Sequence, residues 1–275
     1  MTEQVDRLLA LLDLEASGDD RFIAATPSPA EGPPRLFGGQ VASQSLRAAT
    51  LTVGADRYPH SLHAYFIRPG APGVPLELSV DRTRDGRSFS TRTVSAAQNG
   101  EPIFVLTASF HVEEAGDDWQ EDPPTLDVKA PEEVDDTSPF GRFRSMMPFD
   151  IRPLRKSDSP FPVVHPFWVK TRDPLPDDPL IHACVMTFIS DMAVVASARA
   201  PRSTSVPFGG ASLDHAVWFH RRARADEWLL FSVDPVTNFG ARGLARGAMH
   251  TLDGVHAVSI AQEALLRPAS TPPLP

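Results

Sequence analysis

Two polar residues near the C-terminal end sit in patterns that would bury them. Gln262, in G254-V-H-A-V-S-I-A-Q-E-A, alternates with Val258, Ile260 and Ala264, so a strand would turn it toward an apolar face. Asp214, in S212-L-D-H-A-V-W-F-H-R, alternates with Ala216 and Trp218. A polar group on such a face is costly unless it is hydrogen-bonded. A buried carboxylate is a candidate for proton transfer, and it is equally a satisfied core group; a buried amide can donate to a reacting group or simply cross-link strands. Gly38 and Gly39 follow Phe37 at the start of a helical pattern, where free backbone N–H groups can hold a carbonyl oxygen or an anion. The same pair also suits an ordinary tight helix entrance. Phe208-Gly209-Gly210 is similar but precedes a strand and reads as a turn. His215 neighbours Asp214 and is expected on the opposite face, and His220 lies six residues from Asp214, so neither forms an Asp–His dyad with it. No metal-ligand spacing and no nucleotide-binding glycine motif stands out.

The elements that must position these residues occur twice. The first set is S61-L-H-A-Y-F-I-R-P-G, L76-E-L-S-V-D-R-T, G86-R-S-F-S-T-R-T-V-S-A-A and G100-E-P-I-F-V-L-T-A-S-F. The second is S212-L-D-H-A-V-W-F-H-R, W228-L-L-F-S-V-D-P-V, F239-G-A-R-G-L-A-R-G-A-M-H and G254-V-H-A-V-S-I-A-Q-E-A. The order is the same, and the offset drifts only from 151 to 153 residues, which argues for duplication. His63 stands opposite Asp214, and Ser109 opposite Gln262, so the copies differ where the second carries its polar groups. Helical periods are expected over 5–14, from Phe37 to about Val53, and over 178–198. Strands are expected over 74–83, 88–98 and 103–111, with Gln98-Asn99-Gly100-Glu101 as a hairpin turn. A helix followed by an antiparallel meander is an α+β unit, and two such units side by side could share one sheet and avoid two exposed edges.

Composition narrows the class. The chain has 275 residues, 41% hydrophobic and 22% charged, as in ordinary globular proteins. Its net charge of −9 is concentrated in residues 113–136, where eleven acids face one lysine, a pattern that reads as a solvated linker. Nothing resembles the clustered lysines and arginines of a nucleic-acid footprint. No charged and apolar leader is evident, and the single cysteine, Cys184, fits a reducing, cytoplasmic compartment as a buried inert thiol. Pro179–Ala198 is apolar enough to suggest a membrane span, but Asp191 falls near its middle, and a helix buried in a core is the better reading.

Taken together, D6-R-L-L-A-L-L-D-L-E, L36-F-G-G-Q-V-A-S-Q-S-L, S61-L-H-A-Y-F-I-R-P-G, D85-G-R-S-F-S-T-R, Q98-N-G-E-P-I-F, S212-L-D-H-A-V-W-F-H-R, A241-R-G-L-A-R-G and I260-A-Q-E resemble the type II acyl-CoA thioesterase family, which has a double hot-dog fold. The resemblance covers nearly the whole chain. It implies an α+β tandem double hot-dog, each repeat a long helix wrapped by an antiparallel sheet. The N-terminal hot-dog domain would span 1–115, an acidic proline-containing linker 116–139, and a C-terminal domain 140–275 with the catalytic residues. It also implies thioester hydrolysis without a cofactor, by a water held among an Asp, a Gln and a Thr or Ser. The family strings match Asp214 and Gln262. The hydroxyl is expected in the turn Asp234-Pro235-Val236-Thr237-Asn238, where Pro235 and Val236 occupy the hydroxyl places and Thr237 lies one residue further on. A regular strand would turn Thr237 to the wrong face, and a bulge near Pro235 would restore it. Gly38, Gly39 and His63 are the expected oxyanion and substrate contacts. Arg68, Arg84, Arg87, Arg199, Arg242 and Arg246 are candidates for the CoA phosphates. The family assembles, so a homodimer or higher oligomer is expected. The alternatives are a non-catalytic acyl-CoA binder that lost its hydroxyl, and an enoyl-CoA hydratase, which is disfavoured because Phe219 and not His lies five residues after Asp214.

Overall fold

The computed structural model describes residues 3–28, 34–123, 128–134, 148–155, 165–199 and 208–268. Its elements run α1 (Glu3–Leu12), β1 (Glu15–Gly18), β2 (Arg21–Ala24), α2 (Gly38–Thr50), β3 (Arg57–Phe66), β4 (Leu76–Asp85), β5 (Phe89–Gln98) and β6 (Glu101–Val112). After the acidic segment come β7 (Phe149–Pro153), β8 (Phe167–Thr171), α3 (Pro179–Ser190), α4 (Val194–Ser197), β9 (Phe208–Ser212), β10 (Asp214–Phe219), β11 (Leu229–Phe239), β12 (Arg242–Thr251) and β13 (His256–Pro268). Of the linker expected over 116–139, residues 124–127 and 135–139 lie outside the described residues.

The repeated segments form β3–β6 and β10–β13. All thirteen strands belong to one sheet, in the order β1-β2-β4-β5-β6-β3-β10-β13-β12-β11-β8-β7, with β9 also on β13. The halves meet where β3 pairs antiparallel with β10, from Asp214↔Tyr65 to Trp218↔Ser61. Neither repeat therefore leaves an edge at the junction. β7 and β8 extend the second half through pairing of β8 with β11, and β1 and β2 extend the first through β4. These four strands are only four or five residues long, too short for an alternation to mark them in the sequence.

Local chemistry explains the elements. Val5, Leu8 and Leu12 recur at helical spacing and are the buried residues of α1. The β5–β6 turn uses Asn99 and Gly100 at φ 52° and 78°, the left-handed conformation that this pair tolerates. Asp178 caps α3 by accepting the Leu180 N–H, and Pro179 takes the first-turn position where no N–H is missed. α2 is buried along almost its whole length, lies against β4, β5 and β6, and packs closely on α3. Ser43 Oγ donates to the Cys184 carbonyl at 2.6 Å across that contact. One apolar cluster runs from α1 through both helices into both halves of the sheet.

The helix of the second repeat is shorter than its apolar run implies. α3 has 12 residues and stops at Ser190. Asp191 is its C-cap, Ala193 adopts φ 62°, and α4 is a separate turn. The break has a physical basis: a carboxylate in mid-run forces the backbone to bring it to partners. Phe208-Gly209-Gly210, expected as a turn, instead belongs to the strand β9, which runs along β13. Among the described residues no helix is long and apolar enough to cross a membrane.

Candidate active site

The buried carboxylate that the fold builds around is Asp191. It is 6% exposed and sits where α3 ends. Its turn is held from behind by His165, whose Nε2 lies 3.0 Å from the Met192 carbonyl. In front of it stands the N-terminus of α2: the Gly39 N–H donates to Asp191 Oδ2 at 2.9 Å. This approach requires glycine. A Cβ on Gly38 would lie 2.7 Å from Asp191 Oδ2 and 2.6 Å from the Phe66 ring, and one on Gly39 would lie 2.4 Å from the Phe188 carbonyl. The helix N-terminus places the positive end of its dipole on the carboxylate.

Two more polar side chains complete the site. The chain from β9 to β10 runs along β13 and breaks at Leu213, whose N–H donates to the Glu263 carbonyl. Ser212, just before the break, donates to Asp191 Oδ1 at 3.3 Å. Gln262, fully buried on β13, donates from Nε2 to Ser212 Oγ at 2.8 Å. Burial pushes the Asp191 carboxyl up to about 6, against the opposing hydrogen bonds from Gln262, Gly39 and Ser212. Desolvation thus outweighs three donors, leaving a carboxylate that is ionised at neutral pH yet basic enough to take a proton. Behind Gln262 lies His215, 1% exposed, with Nε2 2.7 Å from Ser190 Oγ. Burial lowers His215 to about 4, so it is neutral.

Of the residues expected from the sequence, Gln262, Gly38 and Gly39 are in this site, with the Gly39 N–H engaged by Asp191. Asp214 is not. Its Oδ1 accepts the Glu263 N–H at 2.6 Å, on the face away from Gln262. Continuing the β10–β13 register from Ala216↔Ala261 by one residue brings His215 level with Gln262. The expected faces are therefore exchanged: His215, Val217 and Phe219 are buried, and Asp214, Ala216 and Trp218 lie on the outer side. The parity is ambiguous because both faces of β10 are apolar, Trp218 covering the outer one with its ring 5.2 Å from that of His63. His63 is itself exposed on that outer face.

Thr237 is also outside the site. The strand does bulge between Pro235 and Thr237, but the bulge sets Thr237 opposite Leu244, which pairs with Glu263. Pro235 pairs with Ala245, which pairs with Gln262. Thr237 is thus exposed on the side away from Gln262, and Val236 is 50% exposed. The hydroxyl beside the carboxylate is Ser212, which in the sequence marks only where a repeat begins. Asp191 stands out there only as a charge in an apolar run, and that anomaly is the available signal.

A cavity of about 890 Å³ lies elsewhere, lined by residues including Tyr58, His60, His111, Trp119, His220 and His256. None of Asp191, Ser212 and Gln262 borders it. Among the described residues no group of three or more His, Cys, Asp or Glu could hold a metal ion.

Comparison with known proteins agrees with this architecture. Residues 26–111 match the family model described as acyl-CoA thioesterase N-terminal domain, and residues 161–265 the one described as acyl-CoA thioesterase. The chain is 38% identical over 260 residues to human acyl-coenzyme A thioesterase 8, covering 85% of this chain and 81% of that protein. It superposes on the crystal structure of an acyl-CoA thioesterase II, TesB2, from Mycobacterium marinum with a TM-score of 0.81 and 36% identity, covering 95% and 98% of the two chains. A protein of unknown function with a hot-dog fold from Alicyclobacillus acidocaldarius shares the fold at a TM-score of 0.73 and 20% identity, both chains covered in full. By matched models, identity and superposition, this hot-dog chain belongs to the acyl-CoA thioesterase family.

Proposed function

We propose that this protein hydrolyses acyl-CoA thioesters to a free carboxylic acid and CoA, with Asp191 as the proton-transfer group and Ser212 and Gln262 as its partners. The observation that carries the reading is the pairing of a buried carboxylate, raised to about 6, with an amide, a hydroxyl and a helix N-terminus. Ser212 is the partly exposed member of this set and gives it an outlet toward substrate. Water held by Ser212 and Gln262 loses a proton to Asp191 as its oxygen attacks the thioester carbon. The carbonyl π electrons move onto oxygen, and the positive end of α2 at Gly38 and Gly39 faces the resulting oxyanion. Collapse of the tetrahedral intermediate reforms the carbonyl and breaks the C–S bond. The departing thiolate takes the proton back from Asp191, which restores the enzyme.

This mechanism joins the two repeats, because Gly39 comes from the first and Asp191, Ser212 and Gln262 from the second. The test is thiol release from a panel of short, medium, long and aromatic acyl-CoAs by the natural protein and by Asp191→Asn. Turnover that the substitution abolishes is expected. Saturable acyl-CoA binding without thiol release would instead identify a binder. Loss of enoyl absorbance with the thioester intact would identify a hydratase.

A further inference from the structure

Behind the three groups of the proposed site lies a side chain that the proposed hydrolysis does not use. His215 touches Ser190, the residue immediately before Asp191, and adjoins Gln262, the amide that bonds Ser212. Two buried atoms at this junction have no hydrogen-bond partner of ordinary geometry: His215 Nδ1 and Gln262 Oε1. Buried polar atoms are nearly always paired, so two orphans side by side point to a shared constraint.

The proton inventory resolves it. A neutral imidazole has one donor nitrogen and one acceptor nitrogen. If Nε2 carried the proton, it would donate to Ser190 Oγ, leaving the bare Nδ1 against the Gln262 carbonyl oxygen, two acceptors without a donor. If Nδ1 carries the proton, it donates to Gln262 Oε1, and Nε2 accepts from the Ser190 hydroxyl 2.7 Å away. Ser190 Oγ also lies 2.8 Å from the Thr187 carbonyl, so the second arrangement gives up one supplementary contact and satisfies two buried atoms. A glutamine amide reads almost the same in either flip, and only its partners decide which end is oxygen. With Oε1 fixed on His215, the NH2 group points to Ser212 and Asp191. Flipped, the amide would present oxygen to the carboxylate and withdraw the donor that Ser212 receives.

We propose that His215 is a positioning residue for this site: its Nδ1–H holds Gln262 Oε1 and thereby aims the Gln262 amide protons at Ser212 and Asp191. This rests on the hydrolytic role proposed for Asp191, Ser212 and Gln262. Burial, Gln262, Gly39 and Ser212 are what act on Asp191, and no charged side chain is among them, so the amide flip is the main adjustable influence on that carboxylate.

Three substitutions separate the functions of the two ring nitrogens. The side-chain nitrogen of Asn falls near imidazole Nδ1, and that of Gln near Nε2. His215→Leu and His215→Gln are expected to lower kcat about tenfold or more, the scale of a lost supporting hydrogen bond, with KM for acyl-CoA unchanged. His215→Asn is expected to recover most of that loss. In the Leu and Gln variants the acid limb of the pH–kcat profile is expected to move upward, because the Asp191 anion loses its amide donor. Circular dichroism and thermal melts establish that each variant is folded, and the Asn–Gln contrast decides the matter if the Leu variant is not. Natural kcat and acid limb in His215→Leu would overturn the proposal, as would rescue by Gln but not by Asn. Asp191→Asn is assayed in parallel: if it remains active, the hydrolytic reading itself fails, whereas an inactive Asp191→Asn beside an unimpaired His215→Leu or His215→Gln removes only the positioning role.

Discussion

Replacing Asp191 with asparagine should make the protein more stable and nearly inactive at the same time. In the folded chain the carboxyl titrates near 6, raised by burial from an ordinary value of 3.8. The native state therefore binds this proton more tightly than the unfolded chain does. As pH rises from about 4 to 6 the unfolded chain ionises first, and stability falls; above about 6 the full penalty is present. A difference of about two pKa units corresponds to about 3 kcal/mol, an upper figure for what ionising Asp191 costs at neutral pH. The substituted amide would carry no charge, and its oxygen can still accept the Gly39 N–H. Asp191→Asn should accordingly raise the unfolding free energy at pH 7 by up to about 3 kcal/mol and leave it nearly unchanged at pH 4. Turnover should fall by roughly a hundredfold or more, the scale of a lost proton acceptor. In the natural enzyme about nine-tenths of Asp191 is ionised at pH 7 and about one-tenth at pH 5, so kcat should drop about tenfold between them. The assays are urea unfolding at both pH values and thiol release from pH 5 to 8. A folded Asp191→Asn enzyme with near-natural turnover, or a flat pH profile below 7, would refute the reasoning.

Gly39→Ala should cost activity and stability together, since its Cβ would meet the Phe188 carbonyl at 2.4 Å and push the helix N-terminus off Asp191; thiol release and thermal melts check this. Asp214→Asn should retain turnover within a fewfold and lose about 1 kcal/mol of stability through the weakened Glu263 N–H bond, and a hundredfold loss in kcat would return Asp214 to the mechanism. Thr237→Val and Val236→Thr should leave thiol release unchanged, both side chains being exposed and Thr237 lying on the side away from Gln262. Light scattering should give a mass above the 29.9 kDa of one chain, and a monomer at micromolar concentration would exclude the assembly we infer from the resemblance.

The framework is written in local patterns. The repeat, the helical period of α2 and the Asn99-Gly100 turn mark the elements, and the alternation along β4 and β13 reports which face of each strand meets the core. Gln262 is legible for that reason: its neighbours at two-residue spacing, Val258, Ile260 and Ala264, are apolar, while Ser259 and Glu263 fall on the opposite face. Cys184 is legible as a buried thiol because it sits in a mostly apolar run. The rest depends on long-range pairing. β10 is apolar on both faces, so its parity has two solutions, and pairing with β3 and β13 puts His215 inside and Asp214 outside. The bulge at Val236 is foreseeable from Pro235, but its consequence depends on the register with β12, which turns Thr237 outward. Asp191 and Gly39 are 152 residues apart, and Ser212 and Gln262 are 50 apart. No local pattern joins them. They meet because α3 breaks beside the N-terminus of α2 while β9 runs back along β13, and a carboxylate excluded from water is tolerable only where such distant donors converge.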